Sequence, residues 1–183
     1  GYASQLIGTA FMIFLGIGTA TSVRVAEHVG RGNQLGVRES SHLGIAATVV
    51  SGIVLGAMIL VFREQLASAL VNRSAEVGGV LIWAGLVSVL WLAALATTFD
   101  GLQATASMAL RAQGVIWLPT GIHIASFFAL MLPMGYHLGL TLQRGAQGML
   151  EGAAIALFVA SMLQVLVLEW KTARPSSPER AVS

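Results

Sequence analysis

Apolar residues fill five long stretches of the chain, and polar residues collect in the short connections between them. The five stretches are residues 4–25, 42–62, 77–111, 116–138 and 148–170. Four of them are about as long as the roughly 20 residues that a helix needs to cross a bilayer, and the third is unusually long for one span. Because lipid cannot satisfy the edge of an open sheet, the pattern predicts an all-α, polytopic integral membrane bundle of about five transmembrane helices.

Composition supports a membrane protein and excludes several other classes. Of the 183 residues, 56% are hydrophobic and 10% are charged, whereas soluble domains carry about 25% charged residues. The net charge of +2 comes from few ionised side chains, so nucleic acid is not an expected partner, whereas membrane lipid is. The chain enters its first apolar stretch almost at once from Gly1, so we expect it to be part of a longer protein.

The distribution of lysine and arginine predicts the orientation, because cytoplasmic loops are enriched in both. Successive connections lie on opposite faces of the membrane. Seven of the ten basic residues fall on one face and three on the other. The larger group contains Arg24, Arg31, Arg38, Arg111, Lys171, Arg174 and Arg180. This asymmetry predicts a cytoplasmic C-terminus. The apolar stretches predict a transmembrane domain over residues 1–172, and the polar, proline-containing tail at 173–183 is expected to be disordered.

One acidic residue, Asp100, lies deep in the long third stretch. At 1.5 Å per helical residue it is roughly 16 Å from Arg111 and roughly 36 Å from Glu76, which places it inside the hydrocarbon. An aspartate there costs on the order of 3 kcal/mol unless it carries a proton, since desolvation disfavours the charged form. Such a group is suited to bind a proton or a sodium ion as the protein changes state. The alternative is a structural hydrogen bond between helices.

Helical spacing of three and four residues puts further polar residues on the face of Asp100. These are Thr97, Gln103, Ser107 and Arg111. A polar stripe of this kind is expected to line a cavity and not to face lipid. Arg111, at the end of the stretch, is interpreted as an interfacial anchor, as is Arg24.

Three features of the last two stretches bear on the same cavity. His123 is a candidate cavity-lining residue that could titrate near neutral pH, or could simply bond to a neighbouring helix. Pro119 and Pro133 are expected to kink their helix and to free backbone carbonyls. Glu151 is expected in the first turn of the last helix, where the helix dipole favours an acid. No nucleophile–base, zinc-protease or paired-carboxylate pattern occurs in the sequence, so an enzyme is not predicted, and no cofactor is expected.

Several segments, in this order along the chain, resemble the multidrug and toxic compound extrusion (MATE) transporters. They are GIGTATSVRVAEHVGRGN at 16–33, FDGLQ at 99–103, ALRAQG at 109–114 with Pro119, LPMGYHLGL at 132–140 and GAQGMLEGA at 145–153. They resemble the eighth to twelfth helices of that family. The resemblance implies an incomplete second bundle of a twelve-helix transporter, with the first bundle as its partner and both termini in the cytoplasm of a bacterial inner membrane.

The resemblance also implies a function. Members export small cationic and amphipathic compounds in exchange for protons or sodium, and their tenth-helix aspartate, here Asp100, is implicated in coupling. This chain alone is expected to be inactive. Two alternatives stay open: a lipid or oligosaccharide flippase of the same superfamily, and a non-transporting membrane subunit that packs against partners.

Overall fold

The computed structural model describes residues 2–71, 76–77 and 80–173. The predicted cytoplasmic tail lies outside this part of the chain, except for Ala173 at the end of the last helix. Four helices longer than 25 residues are α1 (Tyr2–Gly30), α2 (Gln34–Val61), α4 (Ile82–Ala112) and α7 (Gly145–Ala173). A fifth long helix, here called the fourth span, covers Trp117–Thr141.

The prediction of an all-α membrane bundle is confirmed. Among the described residues, three helices have both the length and the apolar composition of a membrane span: Gln34–Val61, Trp117–Thr141 and Gly145–Ala173. Among the described residues, strand pairing occurs in one short antiparallel ladder, in which β1 (Glu76–Val77) pairs with β2 (Val80–Leu81). An eight-residue helix, α3 (Arg63–Leu70), precedes it.

The first two helices run well beyond their apolar stretches. Helix α1 continues past Arg24 to Gly30, and α2 begins at Gln34, eight residues before the predicted start. The turn between them is tight because Gly32 adopts a left-handed φ of +66°, a conformation that costs glycine little. The Asn33 side chain then accepts a hydrogen bond from the Gly36 amide at 3.0 Å, which satisfies an otherwise unpaired donor of the first turn of α2.

The predicted third span was drawn too long at its start. Residues from Val77 onward are apolar, but the segment up to Leu81 pairs as this ladder, and α4 starts only at Ile82. The end of the prediction agrees with the structure, since α4 closes at Ala112. At its beginning, the Trp83 indole donates to the Ser68 hydroxyl of α3 at 3.1 Å.

Helix α4 lies at the centre of the bundle and packs against α1, α2 and α7. Its small residues make this possible: Gly101 faces the ring of Phe14, and Ala106 and Ala109 are fully buried. The buried cluster around them contains Val25, Val37, Ala106, Ala109, Leu110 and Leu168. Helix α4 therefore contacts all of the other long helices. Its contact with the fourth span is smaller than the others and is made by α5.

The fourth span is interrupted near Pro133, as that proline predicts, whereas Pro119 lies in the first turn of a regular segment. Two α-helical segments, α5 (Trp117–Ser126) and α6 (Leu132–Tyr136), alternate with π-helical turns at Phe127–Met131 and His137–Thr141. Pro133 lies directly after the first π-helical turn. A widened turn releases carbonyls from the regular helical pattern and is frequent at functional sites.

The end of the fourth span and the start of α7 approach each other through two glycine pairs. Gly135 and Gly139 on one helix face Gly148 and Gly152 on the other, each pair spaced four residues apart. A Cβ atom on Gly152 would lie 2.6 Å from the Gly135 nitrogen. This spacing of small residues lets two helical backbones touch in a membrane.

Polar contacts join the remaining helices. The hydroxyl groups of Thr48 on α2 and Thr105 on α4 are 2.8 Å apart and fully buried. His42 of α2 and Glu169 of α7 are 2.6 Å apart at a half-exposed position. The Gln34 side chain donates to the Thr172 carbonyl at 3.3 Å.

Candidate functional site

A cavity of about 250 Å³ opens beside the polar stripe of α4. Three elements supply its walls: α4, the first turns of α5, and the second half of α7. The lining residues are Asp100, Gln103, Ala104, Ser107, Arg111, Pro119, Thr120, His123 and Gln164. Asp100 is the one acidic residue among them, and none of the hydrogen bonds seen in the described residues involves its carboxyl group.

Four of the five residues proposed for the site lie around this cavity. Asp100, Gln103 and Ser107 follow one another along α4, and His123 faces them from α5. Thr97 does not line the cavity; its hydroxyl donates to the Ala93 carbonyl of its own helix at 2.7 Å. The structure therefore brings together an acid, an amide, a hydroxyl and an imidazole, and their functional roles remain predictions.

His123 contacts the helix opposite. Its Nδ1 atom is in hydrogen-bond contact with the Gln103 side-chain amide, and the tautomer of the ring decides which of the two groups donates. The rest of the ring is exposed. The contact agrees with the interpretation of His123 as a residue bonded to a neighbouring helix, and it ties α5 to the polar stripe of α4.

Gln164 of α7 was not identified from the sequence. Only 1% of the residue is exposed, and its side-chain nitrogen donates to the Pro119 carbonyl at 3.0 Å. The signal was present in SMLQVLVLEW, where Gln164 is the one amide side chain in an apolar stretch. Pro119 itself lies in the first turn of α5, where a proline breaks no helical hydrogen bond. The expectation that Pro119 kinks the span is therefore wrong, and its carbonyl accepts the Gln164 hydrogen bond for a reason other than a kink.

Arg111, interpreted from the sequence as an interfacial anchor, also lines the cavity. It lines the cavity at the end of the polar stripe, and its guanidinium donates to the Thr120 hydroxyl at 3.2 Å. Its side chain is nevertheless exposed. Arg111 therefore forms the mouth of the cavity, about 16 Å along the helix from Asp100.

The helix-dipole interpretation of Glu151 is wrong. Helix α7 begins at Gly145, three residues earlier than predicted, so Glu151 falls in its second turn, beyond the first turn where the dipole acts. Its carboxylate instead pairs with Arg144, and it accepts a hydrogen bond from Gln147 at 3.2 Å. Glu151 stabilises the start of α7 and lies outside the cavity.

The surface of the cavity is mostly apolar, and its polar side chains do not form a cluster of transition-metal ligands. No group of three or more histidine, cysteine or acidic side chains occurs in the described part of the chain. The polar side chains of the cavity include one carboxyl, two amides and two hydroxyls, and oxygens of these kinds are ligands of hard cations. The arrangement is suited to bind a cation, a proton or a hydrogen-bond donor.

The sequence model of the MatE family matches residues 1–137 of this chain. The chain belongs to the MatE family. As a MatE protein with apolar helices of spanning length, it is an integral membrane protein, and it spans about a third of the length of the curated relatives it matches.

Two of those relatives are bacterial. The "Probable multidrug resistance protein NorM" of Caulobacter vibrioides is 27% identical over 164 residues, which cover 88% of this chain and 34% of the relative. The protein of the same name from Xanthomonas campestris is 34% identical over 157 residues, which cover 85% and 33%. The family membership that this chain's segments suggested is thus confirmed.

A solved structure shares the fold of this MatE chain. The crystal structure of the eukaryotic MATE transporter AtDTX14 superposes with a TM-score of 0.74. The superposition covers 91% of this chain and 36% of AtDTX14 at 21% sequence identity. At that identity the likeness concerns the arrangement of helices alone.

Proposed function

We propose that this chain forms most of the second helical bundle of a secondary active exporter of small cationic or amphipathic compounds. Its place in the MatE family and the multidrug-resistance names of its relatives support this proposal. The length of those relatives supports a first bundle as its partner. In this proposal the transporter lies in a bacterial inner membrane with the C-terminus of this chain in the cytoplasm.

One observation carries the proposal: Asp100 lines a cavity between helices of a membrane bundle, together with other polar side chains. A carboxyl group kept inside a membrane is costly and marks ion pathways in pumps and transporters. Binding of the coupling ion, proton or sodium, neutralises Asp100 and changes how α4 packs against α5 and α7. Because substrate sites in such proteins lie between bundles, this change alters the surface presented to the substrate.

Two alternatives make different demands on the same cavity. A flippase for anionic lipid or oligosaccharide needs a basic central cavity, whereas the basic groups here are one arginine at the mouth and one histidine. A packing subunit needs no ion, and for it Asp100 would serve only the stability of the bundle.

The proposal is tested in the complete transporter that carries this chain, expressed in cells without other efflux pumps. Asp100→Asn is expected to insert normally and to abolish gradient-driven efflux of a cationic dye. The matched control is Glu39→Gln, which removes an exposed acid near the start of α2 and should leave efflux unchanged. Undiminished efflux in the Asp100 variant would refute the coupling role, and lost insertion would favour the packing subunit.

A further inference from the structure

The two halves of the fourth span are held in different ways. Beyond the first π-helical turn (Phe127–Met131), the span meets α7 backbone to backbone, since a Cβ atom on Gly152 would lie 2.6 Å from the Gly135 nitrogen. Before that turn, only Pro119 and Ser126 are buried among the ten residues of α5. The half that contains α6 is therefore packed tightly, whereas α5 is held with little buried surface.

Two side-chain contacts join α5 to α4, and both lie at exposed positions. Gln103 contacts the imidazole of His123, and the Arg111 guanidinium donates to the Thr120 hydroxyl at 3.2 Å. His123 and Arg111 are both exposed. Water can replace the partner at such positions, so these contacts hold α5 less firmly than a buried hydrogen bond would.

The contact between α5 and α7 is buried. Gln164 is 1% exposed, and its side-chain nitrogen donates to the carbonyl of Pro119, which is also buried, at 3.0 Å. Because that carbonyl can only accept, the direction of the bond is fixed. It is the one hydrogen bond that the Gln164 side chain makes among the described residues, since its amide oxygen has no partner there. Gln164 therefore holds the first turn of α5 against α7.

The π-helical turn between the two halves has the features of a hinge. Phe127–Met131 contains no buried residue, and Pro133, which follows it, has no amide hydrogen to bond back across the turn. A second void, of about 20 Å³, lies between this turn and α7, where Ala156 and Ala160 line it. Helices bend at prolines and at π-helical turns, and the void leaves room for the bend.

We propose that α5 is a hinged wall of the cavity and that Gln164 is the positioning residue that holds this wall closed. The wall turns about Phe127–Met131, while α6 stays fixed to α7. Pro119 lies about 12 Å along the helix from the hinge, so a bend of about 20° moves it by roughly 4 Å. That displacement breaks the bond to Gln164 and opens the cavity beside Ser107. The inference goes beyond the proposed function, because it depends neither on the exported compound nor on the coupling ion.

The test measures access to the cavity by thiol labelling in the complete transporter that carries this chain. This chain contains no cysteine, so each introduced thiol is the only one present once any cysteine elsewhere in the transporter is replaced. Ser107→Cys places a thiol in the cavity. Ser41→Cys places one at a fully buried position of α2 and reports general unfolding. A small methanethiosulfonate reagent is added in excess to the purified protein, and mass spectrometry follows the labelling rate.

Gln164→Met removes the bond to α5 at nearly constant side-chain volume. We expect it to raise the labelling rate at Ser107→Cys about two- to tenfold, the effect of one hydrogen bond of ordinary net strength, because labelling follows the population of the open form. The rate at Ser41→Cys should not change. Gln113→Met is the matched control, since the Gln113 side chain bonds a carbonyl of its own helix at 3.2 Å and lies outside the cavity. It should leave both rates as in the wild type.

Pro133→Ala tests the hinge without changing Gln164. Alanine restores an amide hydrogen beside the π-helical turn, and the stiffer turn should lower the labelling rate at Ser107→Cys below that of the wild type. If Gln164→Met does not fold, this variant decides the proposal.

Three results would overturn the proposal. Equal increases at Ser107→Cys and Ser41→Cys in the Gln164 variant would mean that Gln164 stabilises the whole bundle. An unchanged rate at Ser107→Cys would mean that Gln164 does not hold α5 closed. Unchanged labelling in Pro133→Ala would reject the π-helical turn as the hinge. Labelling does not require transport, so a failure of the proposed export function would leave each of these results interpretable.

Discussion

Replacing Gly152 by alanine tests how closely α7 must approach the fourth span. The new Cβ atom would lie 2.6 Å from the Gly135 nitrogen, 2.9 Å from its Cα atom and 3.0 Å from the Met134 carbonyl carbon. All three are backbone atoms, so no side chain can rotate away. To reach ordinary van der Waals contact the two helices must separate by about 0.8 Å at this point.

The magnitude follows from two opposing effects. Overpacking a close contact costs about 1 to 3 kcal/mol. Alanine is a better helix former than glycine by about 1 kcal/mol, which offsets part of that cost. We therefore expect Gly152→Ala to lower the free energy of unfolding by about 0 to 2 kcal/mol, and by about 1 to 3 kcal/mol relative to an alanine that meets no neighbour. Gly121→Ala is the matched control, since no atom lies within 4 Å of a Cβ built there, and it should only gain stability.

The assay is unfolding of the purified protein in mixed micelles of increasing SDS fraction, followed by tryptophan fluorescence. The comparison of the two alanine variants cancels helix propensity and leaves the packing cost alone. Equal stability of Gly152→Ala and Gly121→Ala would contradict close backbone contact between α7 and the fourth span. A stabilised Gly152 variant would contradict it more strongly still.

Two smaller effects are measured in the same way. The Thr48 hydroxyl donates to the Gly44 carbonyl at 2.9 Å, so Thr105 is the donor in the buried pair of Thr48 and Thr105. A double-mutant cycle with Thr48→Val and Thr105→Val should give a coupling energy of about 0.6 kcal/mol. Additive effects of the two substitutions would argue against this hydrogen bond. Asn33→Ala should destabilise the protein by about 1 kcal/mol, because the N-cap of α2 is lost. Asn33→Ser should cost little, because serine can still accept the Gly36 amide hydrogen. Equal losses of stability in the two variants would mean that the cap contributes nothing.

The helices of this bundle were predictable because their cause is local. An apolar stretch of spanning length has few alternatives to a helix in lipid, and the face of α4 that carries Asp100, Gln103 and Ser107 follows from helical geometry alone. Thr97 shows where that argument ends. It occupies the right face, but the walls contributed by α5 and α7 do not extend to its turn of α4.

The features that the sequence did not predict depend on which helices pack together or on where a helix begins. Gln164 belongs to the cavity only because α7 packs against α4 and α5, and no spacing along the sequence contains that information. The ladder was missed because Val77 and Val80 are as apolar as the span that follows them. Glu151 was misassigned by a helix boundary that moved by three residues.

The bonds between α2 and α7 have a consequence for the order in which the bundle assembles during synthesis. The Gln34 side chain pairs with the Thr172 carbonyl, 138 residues later in the chain, and His42 pairs with Glu169. Contacts among α1, α2 and α4 can form as soon as α4 leaves the ribosome. Those between α2 and α7 must wait for α7, so the polar groups near the start of α2 are bonded to water or to lipid headgroups until then. Insertion of α7 replaces these bonds with contacts inside the bundle.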